Sequence, residues 1–563
     1  MDMTLRENLY KETLSALKEQ YFLREMGFSR SELELFLKKE RWNDLLDVIF
    51  EDADSRGRFN SKKVVEVLKP VLDGLCPEPE NGWLQYTYNY VLGQIFPEKK
   101  ADVDDEVYAK GRAFLLQALR GLYRYERENL AFDPTLDMNF LKPAEVDEKG
   151  YLEEYKRLIK MTRSHFVYEF MRIGIDITPF NTLGHISGVH YVAMHVARQL
   201  EHLNIPIDLG LVSGAAAGHD IGKYGCKKGE ERRIPYLHYY YTDICFDRFG
   251  MPMIGHIAAN HSTWDLELEN LSVESLILIY SDFRVKSSRD ETGWEVVHFY
   301  SLADAFDVIL NKLDNVDAAK ELRYRKVYNK LKDFEDYMIS LGVEVNLPEV
   351  PQPVADTPVA VEKKDPALLR SGDIVPELKY EAIGHNIVLM NKFSHEGNFG
   401  NLLEAARSEK NWKQLRTYLL IFGRYSTYMT EKQKMMTLRF LYELFAHKES
   451  DIRKQAGELC GQIIAKFNAE YRKELPAGVI LPKKKITNIS IWEKMVAATL
   501  NPGYKVTEQH RQWIGGSLEC IIAPLLDNAT PELRYECIEV LMKWYKKTSL
   551  TMQNKEDLLD VAR

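Results

Sequence analysis

The chain has 563 residues, of which 45% are hydrophobic and 28% are charged, and its formal net charge is −9 at pH 7. This length predicts about two to four domains, and the hydrophobic fraction is sufficient for buried cores. The acidic balance argues against general nucleic-acid binding, because phosphate backbones favour excess Lys and Arg, and the absence of a run of about 18 apolar residues argues against a membrane span.

Residues 1–150 are predicted to form a helical accessory domain. Apolar residues recur at helical spacing in several segments, and Ser29 with Glu32 has the spacing of a capping box at one helix start. The aromatic residues Trp83 and Tyr86 are interpreted as core residues. The segment contains no catalytic constellation, so we assign no chemistry to it.

Residues 151–342 are predicted to form a second helical domain, in which His185 heads a long amphipathic helix. Counted from His185, apolar residues lie at offsets of 4, 7, 8, 11, 12 and 15, which marks one helix face. His185 is therefore expected on the buried face. His190 and His195 lie off this face, and we expect them at the surface.

The dipeptide His219-Asp220 ends a helix of small residues, LGLVSGAAAG, and is followed by Ile-Gly-Lys. An imidazole and a carboxylate are costly to bury without partners. A bound metal ion is one explanation, and hydrogen bonds to backbone near a helix end are the other. Further along the chain, His238 and His261 lie on apolar helix faces and Asp282 closes an apolar helix, which favours the metal ion.

The sequence resembles the HD superfamily of metal-dependent phosphohydrolases in an ordered set of residues: His185, His219-Asp220, Gly222-Lys223 and Asp282. The resemblance covers about residues 151–342 and implies a helical metal-binding core that hydrolyses a phosphate ester through a metal-activated water. Some relatives carry a His-His pair where this chain has Asn260-His261. No Gly-Tyr-Pro signature follows His261, so we do not assign the chain to the cyclic-dinucleotide phosphodiesterase branch.

The resemblance also implies a set of metal ligands. In relatives the carboxylate of the His-Asp pair commonly bridges two ions, so Asp220 is predicted to bridge, and His238 with His261 would hold the second ion. Imidazole and carboxylate ligands without thiolates suit one or two divalent ions of Mn, Fe, Co, Ni, Zn or Mg. The predicted ligands are His185, His219, Asp220, His238, His261 and Asp282.

A phosphate substrate also requires cationic side chains. Lys223 is predicted to bind substrate because of its place in the HD-x-G-K string, and Asp220 and Lys223 are the predicted catalytic residues. Arg284 and Lys286 are further candidates for substrate binding, although a solvated cation at a helix end is an equally good interpretation of each. The basic segment at residues 227–233 is interpreted as a solvated loop.

Residues 343–378 are rich in proline and are predicted to be an extended linker. Residues 379–563 are predicted to be helical and weakly repetitive. The segment from Ser450 matches the segment from Pro531 at an offset of 81 residues, about twice the roughly 40-residue unit of the HEAT-type repeats that the region resembles. An ordinary helical domain with a chance similarity is the alternative. The chain stops at the start of another amphipathic pattern, so we expect a fragment of a longer protein.

Together these patterns predict an all-α, metal-dependent phosphohydrolase that acts on a nucleotide or a related phosphorylated metabolite, with a protein partner on its C-terminal repeats. Six cysteines without a CxxC pair favour free thiols in a reducing cytoplasm. A dinuclear iron oxygenase uses the same ligand types and is one alternative. A non-catalytic interaction protein with a structural metal site is the other.

Overall fold

The structure, a computed structural model, is built almost entirely of α-helices. It describes residues 3–99, 106–148, 150–178, 182–203, 205–227, 229–230, 233–261, 271–289, 291, 295–312, 318–354, 368–468, 486–503, 505–547 and 551–562. Within these ranges lie 26 α-helices and one two-stranded hairpin, which confirms the predicted all-α class. None of the described helices combines the length and the apolar character needed to cross a membrane.

Seven α-helices of the described residues precede residue 150: α1 (Met3–Leu17), α2 (Gln20–Met26), α3 (Arg30–Lys39), α4 (Trp42–Glu51), α5 (Ser61–Leu75), α6 (Trp83–Ile95) and α7 (Ala109–Asn129). The long helix α7 is almost wholly buried, and α1, α2, α5 and α6 pack against it. The capping box is present as predicted, because the N–H of Glu32 donates to Ser29 Oγ and the N–H of Ser29 donates to the Glu32 carboxylate. Trp83 and Tyr86 are buried.

Ten helices and the hairpin follow: α8 (Leu152–Ser164), α9 (Val167–Ile177), α10 (Leu183–His202), α11 (Leu209–Gly218), α12 (Gly222–Gly225), α13 (Ile234–Arg248), α14 (Pro252–Ala259), α15 (Val273–Arg284), β1 (Val285–Arg289), β2 (Glu295–Phe299), α16 (Leu302–Lys312) and α17 (Ala318–Ser340). Helices α10, α11 and α15 pack on one another, and α14 joins α11 to α13. The antiparallel hairpin begins directly after α15 and packs on α10.

The C-terminal helices are α18 (Ile374–Ser394), α19 (Glu396–Ser408), α20 (Trp412–Arg424), α21 (Glu431–Leu444), α22 (Ser450–Ala465), α23 (Asn488–Leu500), α24 (Glu508–Asp527), α25 (Pro531–Tyr545) and α26 (Met552–Ala562). The matched sequence segments form α22 and α25. Arg453 and Arg534, at matched positions, each donate a hydrogen bond of 2.7 Å to a backbone carbonyl near the end of the preceding helix. The two helices therefore share this arginine contact, although Thr530 caps α25 through its side chain and Glu449 makes no such bond at α22. The assignment to HEAT-type repeats stays a prediction.

The buried hydrophobic side chains form two clusters that meet on α18. The first cluster extends from Leu9 to Ile387, so helices on both sides of residue 150 share it. The second extends from Phe393 to Leu558. The change from one cluster to the other falls inside α18, and the domain boundaries inferred from the sequence stay predictions.

The described part of the proline-rich segment lies against the first cluster. Val345 is buried, and Val354 packs on the cluster from its edge. The backbone carbonyl of Glu344 lies 2.8 Å from Nε2 of His195. Residues 355–367 of the predicted linker lie outside the described residues.

Candidate metal centre

Five helix segments bring the six predicted ligands together in the first hydrophobic cluster. One lies in the first turn of α10, two follow α11, one lies in α13, one follows α14, and one lies in the last turn of α15. All six side chains are buried. They are His185, His219, Asp220, His238, His261 and Asp282.

The glycine of the HD-x-G-K string explains how two of these segments meet. A Cβ atom on Gly222 would lie 1.9 Å from the backbone carbonyl oxygen of His238, so only glycine allows α13 to approach the His-Asp turn this closely. Thr242 joins the same two segments: its hydroxyl donates to the carbonyl of His219 and accepts from the N–H of Gly222, both at 3.1 Å. The backbone therefore fixes the spacing of His219 and His238.

The first half-site, which we define as His185, His219, Asp220 and Asp282, is closely packed. Nε2 of His185 lies 3.3 Å from Nε2 of His219 and 3.0 Å from Oδ1 of Asp282. The same His185 atom lies 3.5 Å from Oδ2 of Asp220. Ligand atoms of His185, His219 and Asp220 are near enough to one another to hold a metal ion.

The second half-site, which we define as Asp220, His238 and His261, has a similar arrangement. The Nε2 atoms of His238 and His261 lie 3.3 Å apart. Oδ1 of Asp220 lies 3.6 Å from the first of these atoms and 3.7 Å from the second. This group too could hold a metal ion. Asp220 therefore belongs to both half-sites, with Oδ2 on one side and Oδ1 on the other.

The histidine rings are oriented by backbone carbonyls. Nδ1 lies 2.9 Å from the Ala216 carbonyl in His219, 2.7 Å from the Ile234 carbonyl in His238 and 2.6 Å from the Ala258 carbonyl in His261. A carbonyl oxygen only accepts, so the Nδ1 atoms carry the protons and the Nε2 atoms present lone pairs. Lone pairs directed into one buried space are the condition for metal ligation.

Burial and charge set the protonation states that a metal ion needs. Burial lowers the pKa of His238 to about 4 and that of His261 to about 3, so both rings are neutral at neutral pH. Burial alone would raise the pKa of Asp220, but the charge of the neighbouring Lys223 outweighs it, and that pKa lies well below its ordinary value. A neutral imidazole beside an ionised carboxylate fits a divalent cation.

The three cationic candidates occupy different environments. Lys223 lies at the site, with its ammonium 2.5 Å from Oδ2 of Asp220. Lys286 donates from Nζ to the backbone carbonyl of Asp282 at 2.7 Å. Arg284 is only 6% exposed and is held elsewhere, because its guanidinium donates to Tyr280, to the Tyr300 carbonyl and to the Val345 carbonyl. Its described contacts therefore join α15 to neighbouring segments rather than to the ligand cluster.

Two sequence-based expectations about the surface were wrong. His190 is 2% exposed, and its Nε2 lies 2.8 Å from Ser213 Oγ, because α10 is packed on more than one side. His195 is half-buried rather than exposed.

The basic segment at 227–233 is also less solvated than expected in its described part. Arg233 donates to Gln433 at 3.3 Å, and the Glu230 carboxylate lies 4.0 Å from His395, because the C-terminal helices reach back to this segment. Residues 228, 231 and 232 lie outside the described residues.

Two further residues adjoin the site and were not selected from the sequence. The ring of Tyr239 lies 3.9 Å from the His238 ring and 5.1 Å from the His261 ring, measured between centroids. Asn260 is 1% exposed, and neither polar atom of its amide has a hydrogen-bond partner among the described residues. Its place beside His261 was visible in the sequence, but an unpartnered amide is recognisable only in three dimensions.

Comparison with known proteins gives no further guidance. The chain matches no protein-family model, no curated protein and no solved structure. The chain is a helical protein with buried His/Asp groups that could hold a metal ion.

Proposed function

We propose that the protein is a metal-dependent phosphohydrolase that hydrolyses a phosphate ester of a nucleotide or a related phosphorylated metabolite. The observation that supports this proposal is the position of Asp220. One carboxylate oxygen faces the pair of His185 and His219, and the other faces the pair of His238 and His261. A carboxylate placed between two ligand pairs suits two ions, and paired ions are typical of phosphate-ester hydrolysis.

The protein side chains supply the ligands and their orientation. When bound, divalent ions supply positive charge to a phosphoryl oxygen and lower the pKa of water toward neutrality. Hydrogen bonds from Nδ1 to backbone carbonyls keep His238 and His261 aimed into the site with neutral Nε2 atoms. Asp220 stays ionised at neutral pH, because its pKa lies well below the ordinary value.

Lys223 is the residue we propose to bind the phosphate group of the substrate. Its ammonium already lies at Asp220, and 27% of its side chain is exposed, so a substrate oxygen can reach it. A phosphate oxygen is a strong acceptor for an ammonium donor. Lys286 is retained as a second cation near the site, since its charge helps to lower the pKa of the buried Asp282 against the effect of burial. Arg284 is left out of the proposed substrate contacts, because its guanidinium is held by Tyr280, Tyr300 and Val345.

The decisive experiment combines metal analysis with a substrate panel. The full chain, purified without chelator, is analysed for bound metals and then assayed with Mn²⁺ or Co²⁺ against nucleotides, sugar phosphates and simple phosphate esters. We expect release of inorganic phosphate that is lost in Lys223→Ala and in His219→Ala. Metal-loaded protein that is inert toward the whole panel would overturn the proposal.

The same assay separates this function from that of an iron oxygenase, which uses the same ligand types. Iron-loaded protein is tested for dioxygen consumption beside phosphate release. The position of Lys223 at Asp220 favours an anionic substrate and hence the phosphohydrolase. Consumption of dioxygen without phosphate release would reverse this preference.

We also propose that the C-terminal helices bind a protein partner and that the protein works in the cytoplasm. The first proposal rests on the resemblance of the region to HEAT-type repeats, whose stacked helices present extended binding surfaces. The second rests on the six cysteines, all of which are free thiols. Affinity purification of the full chain from its native cells, followed by fractionation, tests both.

A further inference from the structure

The N-terminus of α10 has an unusual cap. Its N-cap residue, Thr182, makes no side-chain capping bond, although the N–H groups of a buried first turn need acceptors. The acceptor is Glu295, which lies 110 residues from His185. Its carboxylate accepts from the N–H of Gly184 at 2.9 Å and from the N–H of His185 at 3.1 Å. A distant side chain thus caps the turn that carries a metal-ligand candidate.

Two glycines allow the hairpin to lie directly on this turn. A Cβ atom on Gly184 would lie 2.6 Å from the Glu295 carboxylate, and one on Gly188 would lie 3.1 Å from a methyl group of Val285. Because residues four apart share one helix face, both glycines face the hairpin. The contact leaves no room for a side chain between strand and helix, so the position of Glu295 fixes the position of the helix start.

The same hairpin is anchored next to Asp282, another candidate ligand of the first half-site. Its first strand begins at Val285, three residues after Asp282, and its second strand ends opposite Val285. Two hydrogen bonds between Arg284 and Tyr300 hold together the end of the hairpin nearest α15. The Arg284 guanidinium donates to the Tyr300 carbonyl at 2.9 Å, and the Arg284 carbonyl accepts from the Tyr300 N–H at 2.9 Å. The hairpin is therefore a short connection between Asp282 and the first turn of α10.

We infer that Glu295 is a positioning residue of the metal centre, which holds His185 against Asp282 and so sets the geometry of the first half-site. The two side chains meet at 3.0 Å, between Nε2 of His185 and Oδ1 of Asp282. The two histidines of the second half-site lie outside this arrangement, because Glu295 contacts neither His238 nor His261 among the described hydrogen bonds and ion pairs. The inference rests on the metal-binding part of the proposed function and does not depend on phosphate-ester hydrolysis.

The test measures Co²⁺ binding to the full chain by visible absorption and by metal content. Glu295→Ala removes both hydrogen-bond acceptors, and Glu295→Gln keeps the shape but only one acceptor oxygen. We expect Glu295→Ala to weaken binding of one of two Co²⁺ ions by about 10–100-fold, the usual effect of losing a residue that orients a ligand. The Gln variant should fall between Ala and the parent protein, and the second ion should bind unchanged.

The matched control is Glu291→Ala, which removes an exposed glutamate from the same hairpin connection. Gly184→Ala is an independent variant, because its new methyl group would displace the Glu295 carboxylate, and it should reproduce the loss of one ion. Equal loss of both ions together with a lower thermal midpoint would show general destabilisation and overturn the inference, as would unchanged binding of both ions in Glu295→Ala and Gly184→Ala. Because the readout is metal binding, failure of the phosphohydrolase proposal leaves this test intact.

Discussion

The Nε2 atoms of His238 and His261 lie 3.3 Å apart, while the Nδ1 atom of each ring faces a backbone carbonyl. Both rings are neutral at neutral pH because burial lowers their pKa values. Neither Nε2 can then donate a proton, so two lone pairs face each other beside Oδ1 of Asp220. A cation between these atoms relieves the repulsion, which makes the pair a better ligand set than a hydrogen-bonded one.

The shared position of Asp220 predicts a difference between two variants. Asp220→Ala should remove both ions, because each half-site loses a ligand, whereas His238→Ala should remove only the second ion. We expect the turnover of Asp220→Ala to fall by more than about 100-fold, beyond the effect of losing an outer residue. Metal content per chain and helical circular dichroism check this prediction, with His195→Ala as the control. Equal metal loss in the two variants would contradict it.

The buried His190 predicts that the free energy of unfolding decreases at acidic pH. Burial lowers its pKa to about 3, whereas the ordinary value in an unfolded chain is about 6.5. Between these two pKa values the imidazole is protonated in the unfolded chain and neutral in the folded one. The contribution of the neutral His190 to folding stability is therefore complete above about pH 6.5 and is lost as the pH falls toward 3. In the metal-free protein His238 and His261 act in the same direction.

His190→Gln tests this prediction, since glutamine can still bond to Ser213 and does not titrate. Urea unfolding of the metal-free full chain is compared at pH 7 and pH 5. The variant should lose less free energy of unfolding than the parent between these two conditions. His385→Gln, which changes an exposed histidine, is the control. Identical losses in the parent protein and in His190→Gln would refute the assignment.

The buried amide of Asn260 predicts that its replacement raises stability and lowers turnover. Its amide is buried and has no partner among the described residues, and each such polar group costs about 1–3 kcal/mol. Asn260→Leu removes the amide at similar volume, so the free energy of unfolding of the metal-free protein should rise. Turnover should fall if the role of this amide is to bind substrate beside His261. Urea unfolding and phosphate release measure the two effects, and a variant that loses stability while keeping full turnover would exclude this role.

The helical periodicity of the sequence was sufficient to predict that the ligand candidates lie close together, because apolar faces of neighbouring helices meet in the core. His190 marks the limit of that reasoning. An offset of five residues turns it about 140° from His185, which predicts a surface position only for a helix with one buried face. Helix α10 instead packs against α11, α15 and the hairpin, and the sequence did not indicate these neighbours.

Arg284 and Glu295 differ in how far the sequence could indicate their positions. Arg284 follows Asp282 by two residues, which turns it by about 200° on a helix, so its distance from the ligand cluster was predictable from the rotation alone. Glu295 could not be found in this way. No local pattern links it to His185, and the hairpin that carries it, VKSSR and EVVHF, lacks a regular alternation of apolar and polar residues.

The C-terminal boundary of the candidate metal-binding region predicts how truncated chains behave. From the sequence alone, residues 1–342 should fold and bind metal without the rest. The structure shows contacts with residues beyond 342 that this fragment would lose, and those made by Val345 and Tyr380 involve α15. The Val345 carbonyl accepts from the buried Arg284 guanidinium at 2.8 Å, and the Tyr380 hydroxyl lies 2.9 Å from the hydroxyls of both Ser272 and Ser275.

Both contacts hold α15, the helix that ends with Asp282. Ser272 caps its N-terminus, and Arg284 is its last residue. A cut at residue 342 removes one of the three acceptors of a buried guanidinium, and the loss of such a partner costs about 1–3 kcal/mol. It also exposes the first cluster where α18 covers it. We therefore expect a chain of residues 1–342 to be insoluble or to melt well below the full protein.

A chain of residues 1–395 retains these contacts and ends where the second cluster begins. It should fold and bind metal with the stoichiometry of the full protein, although it loses the contact between Arg233 and Gln433. Expression of both fragments, with metal analysis and thermal melting beside the full chain, checks the prediction. If residues 1–342 bind metal and melt like residues 1–395, then α18 and Val345 contribute little, and the linker assignment made from proline content alone was sufficient.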